Sequence, residues 1–438
     1  MSERDRLRQL PVGQLRQGMY VAEPDRPWTE LPTLFQGFEI QSEEDLDVFR
    51  THCATVYIDP ERSSGDALEA LTDEDISLDS DSAAPMPEER IPPRPEMDST
   101  EAFGSEREPP TEHFERLLRA AYESRSETRR FIESALNEIH AGGQLEPEQG
   151  QAAVASLARR VGENPGAAVW LSNLDERDYP TSVHCVNVCI LALTFGVHLG
   201  MDASELETVG LGALLHDIGK MFMPDEIRDK PGHLTEAEAD VARRHPGDGR
   251  DILAEKGGFS QEVLEIVGMH HERLDGNGYP SGLGGVAIPL HVRVVALANH
   301  YDALTSDRVY RKAMAADQAL QRLYDNASAT YGERLVQEFI RCVGIYPPGS
   351  LVELDNGAVG VVLGSHPEAR LQPTVLLVRS PDGAYYQKRV VVNLAAQPGT
   401  GSRGAAQQIR RALNPADEEI DVAGIVAIEF GLDQFAPG

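Results

Sequence analysis

A set of histidines and one aspartate in the middle of the chain could bind metal ions. The candidates are His184, His216, Asp217, His245, His270 and His271. Imidazole and carboxylate together form the ligand set of Zn, Fe, Mn or Ni, rather than of Ca or Mg. Asp217 follows the apolar run 211–215, and a carboxylate at the end of such a run needs a partner. The pattern therefore predicts a metal site, and these side chains could meet at two metal ions that share one bridging carboxylate.

The local sequence predicts how these side chains are presented. His216 and Asp217 are expected to be neighbours on a helix, where their side chains diverge by about 100°. His245 precedes Pro246, which should push it out of helical geometry. The histidines outside this set are interpreted as ordinary structural residues.

The segment that carries the ligands, residues 167–341, is predicted to be mostly helical. Apolar residues recur at three- and four-residue spacing through it, and no long alternating strand pattern occurs. The fold class that follows is a multidomain protein built on a mainly α-helical metal-binding bundle. Its ligands would project inward from several helices.

Smaller units are expected at both ends of the chain. At the amino end, residues 19–23 and 55–59 have strand composition and indicate a small α+β domain. At the carboxyl end, the Asn-Gly at 356–357 and the Asp-Gly at 382–383 indicate hairpins in a small antiparallel β appendage. The expected segments are 1–62, a small regulatory domain; 63–112, a linker; 113–164, a helical connector; 165–345, the metal-dependent domain; 346–395, the β appendage; and 396–438, a tail.

The linker, residues 63–112, is rich in Ser, Pro, Asp and Glu and poor in aromatic residues. Such a segment buries too little apolar surface to offset its ordering entropy, so it is predicted to be disordered or extended. A plain spacer is the simpler interpretation, and a docking tail is the alternative. The connector helices that follow should pack on the metal-dependent domain or on a second copy of the chain, as a homodimer.

Composition excludes several classes of partner. The formal charge of −31 repels phosphate backbones and anionic lipid, so neither a nucleic-acid polymer nor a membrane is expected. Any small anionic substrate would have to meet local cations, which bound metal can supply. Four cysteines without CxxC spacing argue against a disulfide framework and a zinc ribbon. No signal segment is evident and no apolar run approaches membrane-spanning length, so a cytoplasmic location is predicted.

Three motifs together resemble the HD-GYP phosphodiesterases, a branch of the HD phosphohydrolases. They are HDIGK, HHERLDGNGYP and YDALTSDRVYR, and the resemblance extends over residues 179–348. The amino-terminal QLRQGMYVAE and RPWTELPTLFQGFEIQS also resemble an uncharacterised domain often found ahead of HD-GYP modules. A general HD nucleotide hydrolase would lack the GYP segment.

The resemblance implies hydrolysis of cyclic di-GMP to linear pGpG, and on to GMP, in bacterial second-messenger signalling. It implies two divalent transition-metal ions, Fe or Mn, with Asp217 as their bridge and the five histidines as ligands. Asp217 and Lys220 would serve catalysis, with Lys220 facing a substrate phosphate. Other residues at positions that help to hold the dinucleotide are Tyr279, Asp302, Arg308 and Arg311. Two metal ions would polarise a phosphoryl oxygen and lower the pKa of a bridging water.

The chain departs from the family pattern at two positions. Asn299 stands where the family usually has an aspartate that completes one metal shell, so it can ligate only through a neutral carbonyl oxygen. Asp302, one turn further on, could adjust to compensate. Pro180 stands where members with three metals carry a glutamate, so two metals at most are expected. Cys185 and Cys189 near His184 are interpreted as small core residues rather than ligands.

Two further functional hypotheses remain open. The substitution at Asn299 allows a receptor or scaffold that binds cyclic di-GMP, or GGDEF-domain diguanylate cyclases through the GYP segment, without turnover. Another cyclic dinucleotide could also be the substrate, because the sequence does not separate base identities.

Overall fold

The structure is a computed structural model that places the chain in two compact units, Met1–Glu88 and Glu89–Gly438. It describes residues 7–24, 38–40, 43–60, 62–63, 110–141, 143, 146–172, 181–228, 230, 232–306, 313–366, 369–396, 407–415, 417–418, 420–422 and 424–425.

The first unit is an antiparallel sheet with one helix. Its elements are β1 (Arg8–Pro11), β2 (Tyr20–Pro24), β3 (Phe38–Glu39), α1 (Glu43–His52) and β4 (Thr55–Asp59). The strand order is β1-β4-β2-β3. Val21 and Ile58 pair across β2 and β4 and are fully buried, as is Phe49 on α1. The small α+β domain predicted for the amino end is confirmed, with strands where the composition indicated them.

The second unit is mainly helical. Its helices are α2 (Pro110–His140), α3 (Pro147–Glu163), α4 (Pro165–Ser172), α5 (Thr181–His198), α6 (Ala203–Leu215), α7 (Asp225–Arg228), α8 (Glu236–Ala242), α9 (His245–Lys256), α10 (Gln261–Met269), α11 (Leu290–Thr305), α12 (Ala316–Asp325), α13 (Ala327–Thr330) and α14 (Glu333–Val343). The predicted helical bundle is confirmed. Helix α2 begins at Pro110, three residues before the expected start of the connector.

Helix α5 lies at the centre of the bundle and packs against α3, α4, α6, α11 and α14. It is long and apolar enough to cross a membrane, so the expectation that no apolar run approaches that length is wrong. The reason for its composition is visible in the fold: 83% of its residues are buried inside the protein. A helix surrounded by other helices is apolar on every side, as a membrane span is.

Two helices begin at a capping side chain and end just before a histidine of the candidate metal site. Asp202 and Glu205 form a capping box that fixes the start of α6, and α6 ends immediately before His216. Ser260 caps α10 by accepting the N–H of Val263, and His270 lies at the carboxyl-terminal cap of the same helix.

The carboxyl-terminal part of the second unit contains a five-stranded antiparallel sheet. Its strands are β5 (Leu351–Leu354), β6 (Val359–His366), β7 (Ala369–Arg379), β8 (Tyr385–Asn393) and β9 (Ile409–Leu413), in the order β8-β7-β6-β5-β9. The hairpins predicted at 356–357 and 382–383 are confirmed, and Gly357 and Gly383 both have positive φ. One face shares a core with α2 and α4, in which Leu118 and Trp170 lie with Leu351 and Val361.

Removing residues 64–109 should leave the melting temperature nearly unchanged. These residues lie outside those that the structure describes, and the prediction comes from their composition. The deletion spares Ser63, whose hydroxyl accepts the N–H of Tyr20, and Pro110, where α2 begins. Calorimetry of the full and shortened chains tests the prediction. A fall of many degrees would show that the segment makes packed contacts.

Candidate metal centre

The two carboxylate oxygens of Asp217 divide the surrounding histidines into two groups. Oδ1 lies 3.2 Å from Nε2 of His245 and 3.8 Å from Nε2 of His270. Oδ2 lies 3.4 Å from Nε2 of His216 and 3.5 Å from Nε2 of His184. One buried carboxylate therefore faces two sets of imidazoles, one with each oxygen.

Each set is compact enough to hold a cation. Ligand atoms of Asp217, His245, His270 and His271 lie within 4.8 Å of one another, and the same holds for His184, His216 and Asp217. No cysteine belongs to either set. Cys185 and Cys189 are fully buried, and the Cys189 thiol donates to the carbonyl of Gly210.

The adjacent residues His216 and Asp217 converge because they lie in a turn. The prediction that both lie on a helix is wrong, since α6 ends at Leu215 and Asp217, with φ −98° and ψ 7°, precedes a 3-10 turn, Ile218–Phe222. Gly219 in that turn packs against α9, where a Cβ would lie 2.0 Å from the carbonyl oxygen of His245. A glycine is therefore required for the turn to bring Asp217 to His245.

His245 is the first residue of α9, so the prediction that Pro246 pushes it out of helical geometry is wrong. Proline is tolerated at the start of a helix because its missing N–H would have no partner within the helix.

Three of the imidazoles are oriented by the backbone in the same way. Nδ1 of His216, His245 and His270 lies 2.7, 2.7 and 2.9 Å from the carbonyl oxygen three residues earlier. A carbonyl can only accept, so each Nδ1 donates a proton to the backbone and each Nε2 is directed toward Asp217. Such outer hydrogen bonds fix the tautomer of metal-binding histidines.

His184 is oriented by a carboxylate instead. Its Nδ1 lies 2.6 Å from Oδ2 of Asp302, and both side chains are buried. Asp302 was expected to contact the dinucleotide, but its carboxylate is directed to His184. The pair has the geometry of the carboxylate–histidine arrangement seen behind metal ligands.

Two polar atoms at the centre are buried without a hydrogen-bond partner among the described residues: Nε2 of His216 and Oδ1 of Asp217. Buried polar atoms are nearly always paired, because burial without a partner costs free energy. The two atoms belong to the sets that could hold cations, so the donor set fits a divalent metal that would satisfy both.

The charges at the centre also fit cations. Burial, together with neighbouring imidazoles, holds the pKa of His270 and His271 well below the ordinary value, so both are neutral at neutral pH. Burial would lower the pKa of His216, but the Asp217 carboxylate raises it to about 10. Burial would raise the pKa of Asp217, but Lys220 and His216 hold it well below its usual range. Metal binding would therefore release a proton from the pair.

The other predicted site residues are placed as follows. The Lys220 ammonium donates to Oδ2 of Asp217 at 2.5 Å and is partly exposed. The Tyr279 ring stacks on His271, with centroids 4.6 Å apart. Asn299 is 7% exposed and lies one turn before Asp302 on α11. Arg308 and Arg311 lie outside the described residues.

Sequence reasoning missed Glu272, the residue after the two histidines. It is only 2% exposed, and its carboxylate accepts the N–H of Ser281 and of Leu283. These belong to residues 273–285, here called the GYP loop, which carries Tyr279. An acidic residue beside a pair of candidate ligands was the available signal.

Two family models match the chain. An HD domain matches residues 167–335, and a domain of unknown function, DUF3391, matches residues 7–149. The HD match therefore contains the whole Asp217 cluster.

Three curated relatives illustrate what the chain is similar to. It is 33% identical to cyclic di-GMP phosphodiesterase PA4108 of Pseudomonas aeruginosa, over 84% of this chain and 84% of that protein. It is 40% identical to the cyclic di-GMP phosphodiesterase response regulator RpfG of Xanthomonas campestris, over 38% of this chain and 45% of that protein. It is 39% identical to a 3'3'-cGAMP-specific phosphodiesterase of Vibrio cholerae, over 36% and 37% respectively.

The first relationship spans most of both chains, and the two family models match the amino-terminal domain and the helical body. With Asp217 of its HDIGK motif at the centre of the histidine cluster and Tyr279 of its GYP motif stacked on His271, the chain belongs to the HD-GYP family of HD-domain proteins with an amino-terminal DUF3391 domain.

Proposed function

We propose that the chain is a metal-dependent phosphodiesterase that hydrolyses cyclic di-GMP to linear pGpG, and on to GMP. The observation that carries the proposal is the division of four histidines between the two oxygens of Asp217. The proposed substrate is the one that the names of PA4108 and RpfG give for those relatives. The proposed metal dependence rests on the buried atoms of His216 and Asp217 that have no hydrogen-bond partner among the described residues.

Two divalent ions, Fe or Mn, fit the donor set. His184 and His216 would hold one ion, His245, His270 and His271 the other, and Asp217 would bridge them. Asn299 would add at most a neutral oxygen to the first. Bound ions would supply Lewis acidity at the phosphoryl oxygen and lower the pKa of water.

The protein's own residues orient ligands and substrate. Asp302 holds the proton on Nδ1 of His184, so that Nε2 stays available to the cluster. Lys220 is the partly exposed cation nearest Asp217 among the described residues and would receive a substrate phosphate. Burial raises the pKa of Tyr279, so its hydroxyl stays protonated and can donate a hydrogen bond to the dinucleotide. Arg308 and Arg311 follow α11 in sequence and would add phosphate contacts.

The second candidate is a receptor or scaffold that binds cyclic di-GMP or a GGDEF-domain cyclase without turnover. Asn299 favours it, because one ion would lack a charged ligand. Enzyme activity is the better supported function, since Asp217, the five histidines and Lys220 are retained in one cluster.

Product chromatography separates these functions. The purified full chain, loaded with Fe(II) or Mn(II), should convert cyclic di-GMP to pGpG and GMP, and 3'3'-cGAMP or cyclic di-AMP more slowly. Tight binding of cyclic di-GMP without product at any metal loading would support the receptor. Faster turnover of 3'3'-cGAMP than of cyclic di-GMP would show that the preferred substrate is the one named for the Vibrio relative.

A further inference from the structure

We infer that Glu272 is the positioning residue of the GYP loop, holding Tyr279 against the ligand His271. Oε1 accepts the N–H of Ser281 at 2.7 Å, and Oε2 accepts the N–H of Leu283 at 2.9 Å. Each carboxylate oxygen therefore accepts one amide from the second half of the GYP loop, residues 280–285, here called its returning limb. Among the described residues, no basic side chain forms an ion pair with Glu272, so these amides are the partners that permit its burial.

The first half of the GYP loop, residues 273–279, here called its outgoing limb, is held by the backbone of residues 271–272. The N–H of Tyr279 donates to the carbonyl of His271 at 3.2 Å. Gly278 fits so closely that a Cβ there would lie 2.5 Å from Cα of Glu272 and 2.6 Å from the carbonyl oxygen of His271. Both limbs are thus fastened to the 271–272 segment, one through backbone and the other through the Glu272 side chain.

The consequence for the metal centre passes through the Tyr279 ring. That ring stacks on His271 with an interplanar angle of 22°, and its centroid lies 6.4 Å from that of His245. Releasing the returning limb would remove one of the two attachments that hold Tyr279 in place. The orientation of the His270 ring would not change, because its Nδ1 is hydrogen-bonded to the carbonyl of Val267. Glu272 should therefore affect substrate binding more than metal content.

Glutamine is the informative replacement because it has the shape of glutamate. Its amide has one acceptor oxygen and one NH₂ group, so it can hold one loop amide and must oppose the other. A residue that only fills space would tolerate Glu272→Gln, whereas a residue that fastens two N–H groups would not. Glu265→Gln is the control, since Glu265 on α10 is partly buried and pairs with the side chain of His291 rather than with the GYP loop.

The structural arm of the test is hydrogen exchange on the metal-loaded full chain. In Glu272→Gln, the amides of Ser281 and Leu283 should exchange at least about tenfold faster than in the parent. In Glu265→Gln, their exchange rates should equal those of the parent. This arm does not depend on hydrolysis, so it separates failure of this inference from failure of the proposed function. Equal protection of both amides in the parent and Glu272→Gln would overturn the inference.

The kinetic arm rests on the proposed function. Glu272→Gln should raise KM for cyclic di-GMP about tenfold or more, with a smaller fall in kcat and unchanged metal content. In a Tyr279→Ala background the same change should add little, because Glu272 acts through Tyr279. Full additivity of the two substitutions would show that Glu272 does not act through that ring.

Discussion

Asp217→Ala should remove most of the metal from the purified protein. The parent is expected to carry roughly one to two equivalents of iron or manganese, and the variant should lose at least about a hundredfold in affinity. The reason is that Asp217 faces both histidine sets, so its loss removes a negative ligand from two ions at once. Elemental analysis and metal titration of parent and variant measure the effect.

The control is Asp225→Ala, which removes a carboxylate that pairs with Arg228 on α7 and should leave metal content unchanged. Asp217→Asn, nearly isosteric, guards against unfolding as the cause of the loss. Metal content equal to that of the parent in a folded Asp217→Ala protein would show that Asp217 does not bridge the ions.

Asn299→Asp should increase metal affinity selectively at the ion held by His184 and His216. Asn299 lies one turn before Asp302, and Asp302 hydrogen-bonds to His184, so the new carboxylate would lie on the same side of the cluster. The gain should be largest when metal is scarce, because the added charge acts on affinity first. Hydrolysis of cyclic di-GMP should rise, or appear if the parent is silent.

The same substitution should cost stability when metal is absent. A third acidic group near Asp217 and Asp302 would be buried without a metal ion to balance its charge, at a cost on the order of 1–3 kcal/mol. Metal-free Asn299→Asp should therefore melt below the parent, and metal should raise its melting temperature more than it raises that of the parent. Calorimetry with and without Mn(II) measures both shifts.

His300→Ala is the control for the Asn299 experiment. Nδ1 of His300 lies 3.1 Å from the hydroxyl of Tyr331, so the ring is committed elsewhere and its loss should change metal affinity little. A fall in metal occupancy on introducing the carboxylate would show that the local geometry is built around the amide of Asn299. Equal activity of parent and variant across the metal titration would show that another group completes the shell.

Local patterns were sufficient to name the histidines that the structure gathers around Asp217 and to predict most of the elements. The turn dipeptides at 356–357 and 382–383 specify hairpins through backbone conformation alone, and helical periodicity located the bundle. The turn at His216 and Asp217 was missed, because a helix boundary depends on tertiary packing and is poorly determined by sequence.

Partners distant in sequence could not be predicted. Asp302 and His184 are separated by 118 positions, and nothing local to Asp302 indicates that its carboxylate lies against a histidine. Glu272 is a similar case, since its burial depends on how the GYP loop folds back. The apolar composition of α5 likewise reflects the helices that surround it.

The carboxyl-terminal sheet cannot be trimmed away without exposing apolar surface on the helical body. Leu351 and Val361 share a core with Trp170 and Leu118, whereas the HD-domain match ends at residue 335. A fragment limited to residues 167–335 would turn Trp170 toward water, and exposed patches of this kind promote self-association. The recognisable catalytic sequence is thus shorter than the body that folds with it.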